Sequence, residues 1–225
     1  MNNHGKKWTE EEEELIKNLL SQKKTFLEIS KITGRTELAL RSRSKLIDLR
    51  EYILSRNIKE LIHFTSVWNS YSIGKYGILS VDELRKKGLE YHYNDESRLD
   101  KMLNFISLSI SKPNSFLLKE FNNRDAKDWI KFYIKPDVIF RNESYFFFTN
   151  AASSVFPENK EDEAFSTVES FKAMFDENIN TSKVSLNRKS LKRKLHETTC
   201  EQAEVLLKGR ITAQNILGWE KISVS

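Results

Sequence analysis

The spacing of apolar residues changes character part-way along this chain of 225 residues, and that change limits it to a mixed architecture. As far as Ile47 the apolar positions keep helical spacing: Leu15, Ile16, Leu19 and Leu20, then Phe26, Ile29 and Ile32. Farther on, period-two alternation takes over. From Asn104 to Ser111, Ile106, Leu108 and Ile110 fall on one face and Phe105, Ser107 and Ser109 on the other, which predicts a half-buried strand. Trp129 to Lys135 alternates in the same way until Pro136 ends it, and Tyr145 to Phe148 reads as a compact aromatic strand. Ala203 to Leu207 predicts another, with Gln202, Glu204 and Leu206 on the face opposite Ala203, Val205 and Leu207. Phe165, Val168, Phe171 and Phe175 return to helical spacing. The expected class is therefore α+β, a mixed β core with flanking helices, preceded by a small three-helix module. The expected boundaries are 1–52 for the module and 58–225 for the larger domain, joined by a helical connector from Asp48 to Arg56.

Within the module, Thr9 with Glu12 and Thr25 with Glu28 predict two capping boxes, and Gly34 predicts the stop between the second and third helices. The third helix, beginning after Thr36, carries Arg41, Arg43 and Lys45, preceded by Arg35, a pattern suited to phosphate contacts or base edges. Five acidic residues, Glu10 to Glu14, oppose that reading on the first helix, since they repel a phosphate backbone and suit a basic protein instead. Protein docking and plain packing stay open beside nucleic-acid contact.

Cys200 is the single cysteine, which excludes a disulfide within the chain and a Cys-rich zinc site, and fits a reducing cytoplasmic setting. Met1 to Lys7 lacks the apolar core of a signal peptide, and no apolar run approaches the roughly 20 residues that span a bilayer, so no membrane partner is expected. Lys and Arg outnumber Asp and Glu by 37 to 32, too small an excess to define a polyanion partner by itself. Its distribution is more telling. Thr181 to Leu195 holds Lys183, Arg188, Lys189, Lys192, Arg193 and Lys194 with no acidic residue, which suits tracking a single-stranded backbone or, alternatively, a solvated tether. The seven glycines are scattered and form no dinucleotide-type phosphate loop, and no tight carboxylate cluster supports a two-metal nuclease, so no metal site is expected.

Four short clusters then occur in one order: His63-Phe64-Thr65, Asn94 with Arg98, Asn150-Ala151-Ala152-Ser153, and Gln202-Ala203-Glu204. Together they resemble the DarT family of DNA ADP-ribosyltransferases, over a stretch from near Leu61 to about Ile216. Trp8-Thr9 through Gly34-Arg35-Thr36 is similar to a Myb/SANT-type helix-turn-helix. The DarT resemblance implies an ADP-ribosyltransferase-like core and NAD as co-substrate. It makes Glu204 the catalytic carboxylate, in a Gln-Ala-Glu-Val-Leu sequence, and Gln202 a contact to the incoming base. Cleaving the nicotinamide-ribose bond spreads positive charge over the sugar, and a fixed carboxylate meets that charge.

The same resemblance places His63 on the adenosine ribose with help from Thr65, and puts Asn94 beside the dinucleotide. It gives Ser107 and Ser109 to the nicotinamide-ribose pocket, and makes Asn69 and Gly77 scaffold, Asn69 positioning the following helix and Gly77 turning the chain at its end. Arg98 aligns with the second catalytic residue. A guanidinium is a poor proton acceptor, so its expected role is electrostatic, beside phosphates or an ionising base nitrogen, against the plainer reading of a surface ion pair with Glu96 or Asp100. Glu204 is read here as lying on an exposed strand face, so that Glu204→Ala should leave folding nearly intact. The implied activity is transfer of ADP-ribose to thymine or guanine of single-stranded DNA, in a toxin-antitoxin or phage-defence setting with an antitoxin of macrodomain or other type. RNA as acceptor is the close alternative, and a non-catalytic DNA-binding regulator acting through the helical module is the alternative from another class.

Overall fold

The computed structural model describes residues 5–92, 102–125, 128–159 and 161–222, with the backbone alone for 121–125. Its contacts divide the chain into two compact units, Met1–Leu54 and Ser55–Ser225.

The first unit is helical: α1 Glu10–Ser21, α2 Phe26–Thr33 and α3 Glu37–Ser55. Both capping boxes form, the Thr9 hydroxyl accepting from the Glu12 N–H and the Glu12 carboxylate from the Thr9 N–H, each at 3.2 Å. Thr25 and Glu28 repeat the arrangement on α2. Gly34 closes α2 in the left-handed region at φ 70°, where a side chain would be strained. Ile16, Ile29 and Leu40 form a fully buried centre, with Trp8, Leu19, Leu20 and Phe26 packed against it.

The acidic run at the start of α1 is partly internal. Arg35 is 6% exposed and donates to both Glu12 oxygens, at 3.1 and 2.8 Å, and to the carbonyls of Lys6 and Lys7. Its guanidinium lies 4.2 Å from the Trp8 ring centre, and the hydrogen bonds it gives hold the Glu12 carboxyl below the usual carboxylate range. Glu13 accepts from Arg43 and, at 2.8 Å, from Arg50. Two of the five acids therefore brace the unit rather than face a partner, while Glu10, Glu11 and Glu14 stay exposed.

In the second unit the described residues form α4 Ser70–Tyr76, α5 Val81–Lys86, α6 Ser115–Asp125, α7 Val138–Arg141 and α8 Val168–Ala173. Interleaved with them are β1 Leu61–Ser66, β2 Ile78–Leu79, β3 Phe105–Ile110, β4 Trp129–Ile134, β5 Ser144–Phe147, β6 Asn178–Asn180, β7 Ser185–Asn187, β8 Glu204–Lys208, β9 Arg210–Ile211 and β10 Ile216–Ile222. The sheet runs β10-β4-β1-β3-β8-β5, antiparallel throughout, with two small ribbons, β2-β9 and β6-β7. The class is α+β, as expected.

Two details differ from the sequence pattern. β3 is covered on both faces, Phe105 and Ser109 being buried along with Ile106, Leu108 and Ile110, and only Ser107 is half-buried. The helical stretch from Phe165 to Phe175 is interrupted: Phe165 sits in a 3₁₀ turn, and Thr167 caps a fresh helix by accepting from the Ser170 N–H at 3.0 Å. A capping residue inside an apolar period ends one element and starts the next.

The feature that shapes the functional cleft is an incomplete ladder. β1 pairs with β4 along its whole length, from Leu61↔Ile134 to Ser66↔Trp129, but with β3 only at Leu61↔Ile110 and Ile62↔Ser109. Beyond Ile62 the main-chain pairing stops, and residues of both strands line a common cavity. Gly77 secures one wall. It ends α4 at φ 78°, and a Cβ there would overlap the Ile211 carbonyl oxygen on the neighbouring ribbon strand. Gly77→Ala should lower unfolding stability by about 2 kcal/mol or more, from strain and overlap together, and an unchanged midpoint in urea denaturation would contradict this close approach.

Candidate active site

A cavity of about 240 Å³ occupies the gap where β1 leaves β3. Residues His63 and Thr65 of β1, Ser107 and Ser109 of β3, and Gln202 with Glu204 at the start of β8 all line it. Six of the residues expected from sequence thus share one wall system, although the chain places them up to 141 positions apart (204 − 63).

The imidazole of His63 bridges the interrupted ladder, its Nδ1 lying 3.0 Å from the Ser107 carbonyl oxygen. A carbonyl oxygen only accepts, so Nδ1 carries the proton and, in the neutral ring, Nε2 is the acceptor nitrogen. The Thr65 hydroxyl is buried and accepts from Asn69 Nδ2 at 2.8 Å. Asn69 stands at the N-cap of α4 but its side chain makes no capping bond there. Its amide clips the backbone of His92 instead, Nδ2 donating to the carbonyl at 2.9 Å and Oδ1 accepting from the N–H at 2.8 Å. The sequence carried no signal for this clip, since its partner is main chain 23 residues away.

Glu204 is 9% exposed, not solvent-facing as read from its strand pattern. As a member of β8 it is flanked by β5, pairing with Phe147, and by β3. One carboxylate oxygen accepts from the Ser107 hydroxyl, and the other from the Ala151 N–H at 2.9 Å. The second donor is presented by a tight turn in which Asn150 Oδ1 accepts from the Ala152 N–H at 2.7 Å. Small side chains at Ala151 and Ala152 let this backbone come close, which accounts for the composition of the Asn150-Ala151-Ala152-Ser153 cluster. The carboxylate is thereby fixed in orientation at the cavity wall, the arrangement electrostatic catalysis needs.

The basic segment before β8 is ordered, which overturns the tether reading. β6 and β7 form a hairpin, and the loop after it is braced by Arg188, which is 8% exposed. Arg188 donates to the carbonyls of Glu197 at 2.6 Å and Leu195 at 3.2 Å, to that of Lys194, and to the Thr199 hydroxyl. Arg193 donates to the Thr199 carbonyl at 3.2 Å. Glu197 ties the loop to the turn after β3 through Lys112 at 2.7 Å and accepts from the Lys194 N–H at 3.1 Å. Burial raises the Glu197 carboxyl, yet Lys112 and the Lys194 N–H outweigh burial and the net effect is a lowering. Of the cations expected to meet nucleic acid, Lys189, Lys192 and Lys194 point outward, while Arg188 and Arg193 are turned into the loop they hold together.

A family model described as "ssDNA thymidine ADP-ribosyltransferase, DarT" matches residues 62–224, a span that holds every lining residue named above. The chain belongs to the DarT family. DarT domains are NAD-dependent ADP-ribosyltransferases, and NAD is their co-substrate. Among solved structures, "Thermosipho africanus DarTG in complex with ADP-ribose" matches at 18% identity and TM-score 0.41. The match covers 72% of this chain and 43% of that one, so the chain spans less than half the length of that relative. No match was found among curated proteins.

Asn94 and Arg98, expected beside the DarT dinucleotide site, lie outside the described residues. Arg41, Arg43 and Lys45 belong to the helical unit outside the DarT match. Arg41 is exposed, 3.8 Å from Glu37 and over the Phe26 ring, whereas Arg43 is half-buried on Glu13 and Lys45 is half-buried. Among the described residues no group of His, Cys, Asp and Glu is placed to hold a metal ion, and no helix is long and apolar enough to cross a membrane.

Two outcomes follow from the braced carboxylates. Glu204→Ala takes the acceptor from the buried Ala151 N–H and the half-buried Ser107 hydroxyl and should cost about 1–3 kcal/mol of stability in chemical denaturation, while Glu204→Gln keeps the shape and should cost less. Equal stability of both variants and wild type would show the carboxylate to be poorly coupled to the core. Because the folded-state pKa of Glu197 lies below its unfolded value, its contribution is complete above the ordinary glutamate range and disappears as pH falls through the folded value. Protease cleavage between Arg188 and Thr199 should therefore rise on acidification through that range, and Glu197→Gln should flatten this dependence.

Proposed function

We propose that this chain transfers ADP-ribose from NAD to thymidine in single-stranded DNA, and that it works in the cytoplasm as the toxin partner of a toxin-antitoxin pair. The observation that carries this reading is the clamped Glu204 carboxylate sharing a cavity with His63, Thr65 and Gln202 inside a DarT domain. Thymidine is preferred to guanine, and DNA to RNA, because the matched family model is described by single-stranded DNA and thymidine.

The chemistry follows from the fixed charge. As nicotinamide departs, the ribose gains positive character, and an oriented carboxylate at that sugar lowers the barrier by meeting the charge without having to reorganise. Ser107 and the Ala151 N–H do not react; they hold Glu204 in place. His63, with its Nδ1 proton committed to the Ser107 carbonyl, offers Nε2 as an acceptor for a ribose hydroxyl. Ser109 lines the same cavity beside Ser107. Gln202, one turn of the pleat from Glu204, is assigned to the incoming base. Arg98 is assigned from its sequence position to stabilising negative charge on phosphate or base, and Asn94 to the same dinucleotide. Lys189, Lys192 and Lys194, exposed in the segment that precedes β8, are assigned to the polymer backbone. A macrodomain-type antitoxin that removes ADP-ribose is the partner this activity calls for.

The test is incubation with labelled NAD and defined DNA and RNA oligonucleotides, with and without thymidine, beside Glu204→Gln. Label should appear on thymidine-containing single-stranded DNA and fall about 100-fold or more in the variant. Label on RNA alone, on guanine-only DNA or on protein, or equal labelling by Glu204→Gln, would overturn the assignment.

A further inference from the structure

The wall of the cavity formed by the turn after β1 and by α4 has two faces. Asn69, Ser72 and Ile73 look into the cavity. Trp68, Tyr71 and Lys75 occur at i, i+3 and i+7, a second stripe along the same short helical stretch, and this one faces outward. Trp68 is 73% exposed and Tyr71 is 81% exposed, the two most exposed large rings among the described residues. The Trp68 ring is not loose: it lies against His92 at 5.9 Å with a tilt of 31°, and Asn69 clips the backbone of that same His92. Gly74 lies between Tyr71 and Lys75 with open space where a side chain would be, so a planar group can come down onto the helix there. Lys75 is exposed and sits 5.0 Å over the ring of Tyr76, itself 39% exposed.

We propose that Trp68, Tyr71 and Lys75 form a stacking platform for the single-stranded DNA that enters the site, Trp68 and Tyr71 each taking the face of a base that flanks the modified one and Lys75 meeting the backbone phosphate. The inference rests on the reading of the cavity as a site that modifies single-stranded DNA. Stacking on rings ignores base identity, so this surface supplies affinity and positions the strand, while the choice of acceptor is left to the cavity. Its occupant is a polyanion rather than an apolar peptide, because a cation closes the stripe and no acidic residue lies between Trp68 and Gly77. Rings at this place also explain why a chain would expose them next to the mouth instead of packing them: a bound strand covers what solvent now touches.

Three measurements test it. Quenching of tryptophan emission by an oligothymidylate needs no turnover; it should occur with wild type and be lost in Trp68→Phe, which keeps a ring for stacking but removes the reporter. In the transferase assay, Trp68→Ala and Tyr71→Ala should each raise KM for the oligonucleotide about tenfold, with KM for NAD changed less than twofold, and Trp68→Phe should restore much of the loss. Oligonucleotides with abasic positions flanking the target thymidine should weaken wild type but add little to the Tyr71→Ala defect. A rise in KM for NAD with an unchanged oligonucleotide KM would place the rings on the dinucleotide and overturn the proposal, and so would unchanged values for both. No labelling of any nucleic acid by wild type, with quenching intact, would strike the proposed function and not the platform.

Discussion

Everything at the cavity depends on the pair of hydrogen bonds that seize Glu204. They come from two elements distant in sequence, the Ser107 hydroxyl on β3 and the Ala151 N–H in the turn after β5. For both to form, β8 must lie between β3 and β5 in the observed register, and the Asn150 side chain must hold its turn. A buried carboxylate is costly unless its oxygens are satisfied, so the fold and the reactive group constrain each other. Ser107 contributes twice, its hydroxyl to Glu204 and its carbonyl to His63, which links the acidic and imidazole sides of the cleft through one residue.

Several arginines in this chain are used as internal fasteners. Arg35 gathers Glu12 and two carbonyls, Arg43 and Arg50 share Glu13, and Arg188 collects the carbonyls of its own loop. The planar guanidinium has several donors in fixed directions, so one side chain can satisfy a cluster of main-chain acceptors that no strand or helix pairs. Lysine has no such geometry, and in the segment before β8 it is the lysines that remain at the surface. The exposed charge of that segment is therefore carried by fewer residues than a count of its basic side chains implies.

How far the sequence revealed the molecule depended on the range of the interactions involved. Local signals were legible: both capping boxes, the glycine stop at Gly34, the strands at β3, β4 and β5, and the turn at Gly77. The ordered clusters located His63, Thr65, Gln202 and Glu204, the family resemblance added Ser107 and Ser109, and the structure brings these to one cavity. Burial was misjudged where it depends on what packs over the sheet. Alternation in β3 and β8 suggested an outward polar face, but Ser109 and Glu204 are buried, and with Ser107 they line the cleft. The clip of Asn69 on His92 and the inward turn of Arg188 were invisible because their partners are backbone atoms, which a sequence does not distinguish.

The ladder between β3 and β8 has one further implication. Side chains alternate along a strand, so sliding β3 by one residue would turn Leu108 or Ile106 toward Glu204 and carry the Ser107 hydroxyl to the opposite side. A molecule assembled in that slipped form could still be compact and rich in strands, yet its acidic group would face hydrocarbon. The position of the carboxylate and the correct assembly of the sheet are thus coupled at a single alignment.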